Sequence, residues 1–410
     1  MKMFFCLRKL CNRAGPGASV LLCLAASACG PSARELGRQA FRRHDYATAQ
    51  NFLKKSKNKA NKNFVLYNLE LGSAAFEGGN YHAARRAFER AAQAMRGYAG
   101  TAEGVVSLVA NESAKIFKGD PFEQAMANFY DGLIYYRWGD YNNARAAFHQ
   151  ALMSDKSSAD GYQEDFAVAQ FMIGKCYRKI GQADNARISF EKARKACDSN
   201  PYFSREAIRD HNVLIILQLG KAPKKIATGP AGSLDEYVPG IYRETSARVY
   251  ADGKLLGTSS PAVDLLRQAR TSGRTAKDTI QAAKGAVKTG LLAAAAAQDD
   301  PKPGLALAAT ALLMPAGADL RQWDLLPGEI HLLSTKLSPG GYTFRIEFFA
   351  GGKRMNDFRQ VWHYVPVEKD RDTLLVFRSG RQKCNANMPP RQNPVFRGEN
   401  DNAFSGASKN

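Results

Sequence analysis

The chain is poor in the motifs that mark catalysis and metal binding. Its 410 residues hold no C-x-x-C pair, no H-E-x-x-H, no G-x-S-x-G elbow and no Walker loop. Structural zinc, zincin and hydrolase chemistry and phosphate-loop nucleotide binding therefore have no support in the sequence. The six histidines, His44, His82, His149, His211, His331 and His363, fall at no metal-ligand spacing. Ser56-Lys57-Asn58-Lys59 matches S-x-x-K but lacks the partner motifs that give that spacing meaning. No metal, cofactor or enzymatic activity is expected. Long apolar runs are missing too: Gly290–Ala297 and Leu305–Met314 fall well short of the about 20 residues a spanning helix needs. They read as a helical hairpin packed on its domain or as a membrane-surface contact. Acid is scarce, with 38 Asp and Glu against 58 Lys and Arg, for a net charge of +20. A basic surface suits anionic lipid heads, acidic polymers or acidic proteins. No aromatic-and-arginine cluster of the base-stacking kind is present, so nucleic acid is not an expected partner.

What is present starts at the N-terminus. Lys2, Arg8, Lys9 and Arg13 precede a short apolar run, Ala18 to Ala28, as in an export signal. Ala26-Ser27-Ala28-Cys29 resembles the lipobox of bacterial lipoproteins. That resemblance implies cleavage after residue 28, lipidation of Cys29 and a lipidated tether over 29–35. Gly30, rather than Asp, implies sorting to the outer membrane, with the chain on its periplasmic face. Removing four positive charges leaves +20 − 4 = +16 on the mature chain. Four cysteines then remain: Cys29, Cys176, Cys197 and Cys384. Cys176 and Cys197 either pair in an oxidising compartment or serve as small buried apolar residues.

Residues 36–220 carry an internal repeat. Gly72, Gly79-Asn80-Tyr81, Ala84, Phe88 and Ala91 recur as Gly132, Gly139-Asp140-Tyr141, Ala144, Phe148 and Ala151. They recur again as Gly174, Gly181-Gln182-Ala183, Ala186, Phe190 and Ala193, and a weaker copy reads Phe41, Asp45-Tyr46, Ala49, Leu53. Small residues let paired helices approach, a glycine of positive φ closes the turn, and a phenylalanine fills the groove. The pattern resembles the tetratricopeptide repeat, TPR. The spacing is uneven: Ala49 to Ala84 is 35 residues, Ala84 to Ala144 is 60 and Ala144 to Ala186 is 42. An irregular helical solenoid follows, with residues 98–122 inserted.

Residues 221–240, rich in Gly, Pro and Lys, read as a linker. After it the period changes to that of strands. Asp252-Gly253 marks a hairpin, Ile330–Leu337, Tyr342–Phe349, Phe358–Val367 and Thr373–Arg378 read as strands, and a helical insert occupies 262–315. The β module spans 241–379, and 380–410 is polar enough to read as a disordered tail. The fold class expected is α+β: a TPR-like α-solenoid, then a small antiparallel β-sandwich with a helical insertion.

Phe117–Glu123, Tyr130–Tyr141, Gly220-Lys221-Ala222-Pro223 and above all Ala318–Pro327, an A-D-x-R-x-W-x-x-L-P run, resemble an uncharacterised bacterial family of TPR-containing outer-membrane lipoproteins. The β module, with L-x-P-G-G-Y-T-F at 337–344, resembles PEGA domains, which implies carbohydrate or surface binding. The resemblance implies a membrane-tethered scaffold for other envelope proteins, in cell-envelope or peptidoglycan assembly. An envelope hydrolase or transferase, or a structural subunit of a secretion or motility complex, is the alternative. In a TPR solenoid the first helices line the concave face, so Asn128, Tyr130, Tyr135, Arg137, Gln170 and Lys175 are candidate protein-binding residues. Asp319, Arg321 and Trp323 form either a binding-site edge or a structural junction.

Overall fold

The computed structural model describes residues 31–55, 62–97, 117–155, 165–204, 208, 211–229, 232–271, 275–297 and 318–380. The export signal, Cys29, Cys384, the S-x-x-K match, the apolar run Leu305–Met314 and the tail beyond residue 380 lie outside them. Helices come first, in antiparallel pairs: α1 (Ala33–Arg42) with α2 (Tyr46–Lys54), and α3 (Phe64–Glu77) with α4 (Tyr81–Gly97). Then come α5 (Pro121–Trp138) with α6 (Tyr141–Ser154), and α7 (Ala167–Lys179) with α8 (Ala183–Ala196).

Each pair is closed by the same local chemistry. One residue with positive φ ends the first helix: His44 (59°), Gly79 (72°), Gly139 (80°) and Gly181 (80°). The next residue's N–H reaches back to a carbonyl of that helix, at 3.0 Å from Asp45, 2.8 Å from Asn80, 3.0 Å from Asp140 and 2.8 Å from Gln182. In the first three pairs the side chain of that same residue also accepts from the first turn of the second helix, satisfying a donor the helix leaves open. A second constraint is steric. Gly132 stands against Phe148 and Gly174 against Phe190, where an added Cβ would lie 2.5 Å and 2.6 Å from the ring. Gly72–Phe88 and Gly37–Leu53 repeat the contact in the same register.

The second helices bury one stripe each, for example Ala144, Phe148, Ala151 and Leu152 of α6. Two first helices are buried nearly all round: eleven of the 14 residues of α3 and all ten from Ala167 to Cys176 of α7 are buried. A helix without an exposed face needs cover on both sides. The second helices supply one cover and a β-sheet the other.

That sheet has the order β10–β1–β7–β6, from β1 (Val213–Leu219), β6 (Ser260–Asp264), β7 (Glu329–Thr335) and β10 (Thr373–Arg378). β1 pairs parallel with β10 and antiparallel with β7, so the sheet is mixed rather than purely antiparallel. A second sheet has the order β5–β4–β8–β9, from β4 (Ser246–Ala251), β5 (Lys254–Thr258), β8 (Gly340–Ala350) and β9 (Lys353–Val367). Asp252 and Gly253, both at positive φ, turn β4 into β5. The period of two sorts β1 between its neighbours. Val213, Ile215, Leu217 and Leu219 share a core with Val249, Phe344, Ile346 and Phe348 of the second sheet. Leu214 and Ile216 belong to the helical core, with Leu332 and Leu374. The layers therefore run second helices, first helices, mixed sheet, second sheet.

Three expectations about the chain's division change. Residues 213–219, expected within the helical repeats, form a central strand buried on both faces. Consequently Gly220–Pro223 follows a strand and not a helix. Residues 221–240, expected as a linker, contain β2 (Lys224–Thr228) and β3 (Leu234–Val238), an antiparallel hairpin. Ala262–Asp264 belongs to β6, and the helical insert starts with α9 (Leu265–Thr271) and continues as α10 (Thr275–Ala296).

Candidate functional site

The face expected to be an open groove is occupied by the chain's own β-sheet. The Tyr130 hydroxyl donates to Gln218 Oε1 of β1 at 2.6 Å, and Tyr130 is 3% exposed. Its ring packs among Phe76, Phe88 and Trp323. Gln218 in turn donates to Glu77 of α3 at 2.7 Å. Arg137 Nη1 donates to the Leu374 carbonyl of β10 at 2.5 Å, and its guanidinium lies over the Tyr81 ring. Lys175, 3% exposed, donates to the His211 carbonyl at 2.6 Å and pairs with Asp372 at 3.4 Å.

The other three candidates are also engaged within the fold. Gln170 is buried in α7. Asn128 binds the Gln124 carbonyl and Ser154 Oγ, tying α5 to α6. The Tyr135 hydroxyl accepts from Arg85 of α4 at 2.8 Å. Tyr130, Arg137 and Lys175 therefore face the sheet, while Asn128 and Tyr135, both half-buried, are engaged by neighbouring helices.

Asp372 is the electrostatic hub of this contact. It accepts from the Tyr136 hydroxyl at 2.7 Å and pairs with Lys179 at 2.8 Å. Burial alone would push its carboxyl up. Lys175 and Lys179 outweigh burial and hold it below the usual range.

The run 318–324 clasps the other end. Trp323 is 1% exposed. Its indole N–H donates to Ser73 Oγ of α3 at 2.9 Å, and its backbone N–H to Glu123 Oε1 of α5 at 2.5 Å. A side chain so enclosed cannot stack on an external ligand. Arg321 pairs with Asp319 at 2.7 Å and reaches the Lys62 carbonyl and Asn63 Oδ1, both at 3.0 Å. Asp324 pairs with Arg38 of α1 and accepts from Gln322. These contacts make the run a junction between the repeats and the sheet.

Buried charge continues beside it. Asp120 caps α5, accepts from the Tyr237 hydroxyl at 2.7 Å and pairs with Lys225 of β2 at 2.9 Å. Glu123 completes the capping box, its carboxylate accepting the Asp120 N–H at 2.7 Å. Burial pushes its carboxyl up to about 7 against the opposing pull of Lys225. Glu70, fully buried, is held by Arg34 through two bonds of 2.8 and 2.7 Å. Sequence reasoning passed over Gln218, Asp372, Glu70 and Lys225, because each acquires its partner only in three dimensions.

An open cleft of about 650 Å³ lies outside this junction, lined by Arg34, Arg38, Lys224, Lys225, Arg321, Asp319, Leu320, Gln322 and Asp324 among others. Among the described residues no group of three or more His, Cys, Asp or Glu is placed to hold a metal ion, and no helix is long and apolar enough to cross a membrane. Cys176 is a buried free thiol and Cys197 a half-buried one. Burial raises the Cys176 thiol well above its ordinary range.

Two tetratricopeptide-repeat models match the chain, over residues 132–158 and 168–197. These spans are the α5–α6 turn region and the α7–α8 pair. Similar solved structures include MamA, at 21% identity over 40% of this chain and 77% of that one, with a TM-score of 0.29. They also include a thermophilic TPR protein of Thermus thermophilus, at 17% identity over 42% of this chain and 93% of that one, with a TM-score of 0.21. No protein of curated function matches. The chain contains tetratricopeptide repeats, in a helical region followed by a strand-rich one.

Proposed function

We propose that this TPR protein is a non-catalytic interaction scaffold of the bacterial envelope, tethered to the periplasmic face of the outer membrane through lipid on Cys29. The observation that carries the scaffold reading is the fourfold Gly–Phe/Leu register of the helix pairs, together with the two repeat matches. The tether reading rests on the lipobox-like Ala26-Ser27-Ala28-Cys29. Because the concave face is filled from within, the repeats serve this chain as a rigid body. Partners meet its outer surfaces.

The outer helices carry the charge for such contacts. Arg86, Arg90, Arg187, Arg194 and Lys195 of α4 and α8 are exposed, which suits an acidic protein or polymer of the envelope. The PEGA-like β module offers a second docking face, toward cell-wall carbohydrate. Crosslinking in intact envelopes followed by capture of the chain tests the scaffold: one defined protein complex, lost on reversing Arg194 and Lys195 to Glu, is the expected result. Recovery of no complex, with turnover of cell-wall material by the purified chain, would replace the scaffold with an enzyme. Mass spectrometry of the mature N-terminus tests the tether, which fails if Cys29 carries no acyl chain.

A further inference from the structure

The cleft at the 318–324 junction is formed where α1 meets β2, and Arg34 and Arg38, one helical turn apart, stand on its wall. Glu70 takes Nε and Nη2 of Arg34, Asp324 pairs with Arg38 and Asp319 with Arg321, so three guanidinium groups are fixed in place. Lys225 is likewise held, by Asp120 and Asp235. Lys224 is different. It is exposed and has no ion pair among the described residues. Two apolar side chains join it on the outside: Leu320 on the cleft wall is 45% exposed, and Ile226, on the same face of β2 as Lys224, is 40% exposed.

Chain length then bounds how far this surface can lie from the tether. α1 starts at Ala33, with Ser32 as its N-cap. Only Gly30, Pro31 and Ser32 separate it from Cys29. Four extended steps span at most about 14 Å, against a head-group layer of roughly 6 Å per leaflet. With acyl chains on Cys29, the first turn of α1, Arg34 included, is kept within that reach of the lipid heads.

We propose that the Arg34–Lys224–Arg321 cleft is the membrane-facing surface of the protein and takes the phosphate of an anionic lipid head, with Leu320 and Ile226 entering the interfacial layer. The proposal rests on the lipid tether proposed above. Fixed guanidinium groups suit a phosphate's oxygens, Lys224 brings the uncompensated charge, and shallow apolar side chains add interfacial burial. The tether holds the cleft in register with the bilayer, so a weak site suffices.

The test uses the full mature chain carrying Cys29→Ser, which is unlipidated, so its failure leaves the mass-spectrometric test of the tether untouched. Sedimentation with phosphatidylglycerol-rich vesicles is compared with phosphatidylcholine vesicles. Binding is expected only to the anionic vesicles, weakened by salt. It is expected to fall about thirtyfold in Lys224→Glu, which removes one lipid-facing positive charge and adds a negative one, and to fall also in Leu320→Asp. Arg194→Glu with Lys195→Glu on α8 is expected to leave it unchanged. Both changed cleft residues are exposed, and an unchanged thermal melt confirms the fold. The proposal is overturned if Lys224→Glu binds like the parent, if the α8 pair abolishes binding, or if polyglutamate competes as well as anionic lipid does, which would mark the cleft as a site for an acidic polypeptide.

Discussion

Replacing Trp323 with Ala probes the contact between the repeats and the sheet at its most enclosed point. The side chain is 1% exposed, with its ring centroid 5.8 Å from Phe88 and 5.9 Å from Tyr130. A buried indole removes about 200 Å² from water, and truncation to Ala costs about 3–5 kcal/mol with the cavity it leaves. The lost bond to Ser73 adds about 1 kcal/mol at most, because Ser73 Oγ also donates to the Leu69 carbonyl. Trp323→Phe keeps much of the ring and is expected to cost about 1–2 kcal/mol. Urea denaturation gives both values. Circular dichroism follows the helices, and fluorescence follows Trp138 on α5 or Trp362 on β9 separately when the other is replaced by Phe in the Trp323-substituted chain. The two fluorescence transitions are expected to shift together. A loss under about 1 kcal/mol for Trp323→Ala, or a shift of one side alone, would refute the reasoning that helices and sheet share one core.

Other substitutions address other parts of the account. Gly132→Ala is expected to destabilise by about 1–3 kcal/mol in the same titration, since its Cβ meets the Phe148 ring. Asp372→Asn is expected to cost about 3 kcal/mol by leaving Lys175 buried beside a neutral group. Because Asp372 is held below the usual carboxylate range, its contribution is present above the ordinary Asp pKa and is lost as pH falls through the lower folded value. The acid limb of the wild-type stability curve, measured by thermal melts, should therefore flatten in Asp372→Asn. Asp155 has the opposite sign. Burial first, and then Asp165, push its carboxyl up to about 8 from 3.8, so stability falls as pH rises between those values, by at most about 1.4 kcal/mol per pH unit. Asp155→Asn should be more stable than the parent at pH 8, and the gain should vanish near pH 4.

The helix pairs were legible because their constraints are local and repeated. A positive-φ residue, a capping side chain and a glycine facing a phenylalanine recur at fixed spacing, and each leaves a residue type in the sequence. His44 at φ 59° shows the cost of reading residue types alone: it fills the turn position that glycine holds in the other three pairs, which is why that copy looked weak. β1 was missed for a different reason. Val-Leu-Ile-Ile-Leu-Gln-Leu is buried on both faces, so it shows no alternation, and it follows directly on helical repeats. The hairpin β2–β3 was hidden by the Lys, Gly and Pro around it.

The filled groove shows in the burial of α7 and not in its sequence, where Gln170 and Lys175 interrupt the apolar residues. Residues 167–176 are buried on every side, a condition that two-layer helix packing alone does not meet. Tyr130 and Lys175 lie on first helices and meet residues of this chain rather than an external partner. Their partners, Gln218 and Asp372, lie 88 residues away in the one case and near the far end of the described chain in the other, and no local pattern links them. Local spacing offers Arg321 either Asp319 or Asp324 as its partner; the structure pairs it with Asp319, while Asp324 takes Arg38.

Hydrogen exchange of the full mature chain, resolved by peptide, tests most directly whether the sheet closes the concave face. Peptides covering β1, residues 213–219, and α5, residues 123–136, should exchange together in the slowest class, with the same denaturant dependence. Rapid exchange of 213–219 while 123–136 stays protected would mean that the sheet leaves the repeats readily, and the groove would be open after all.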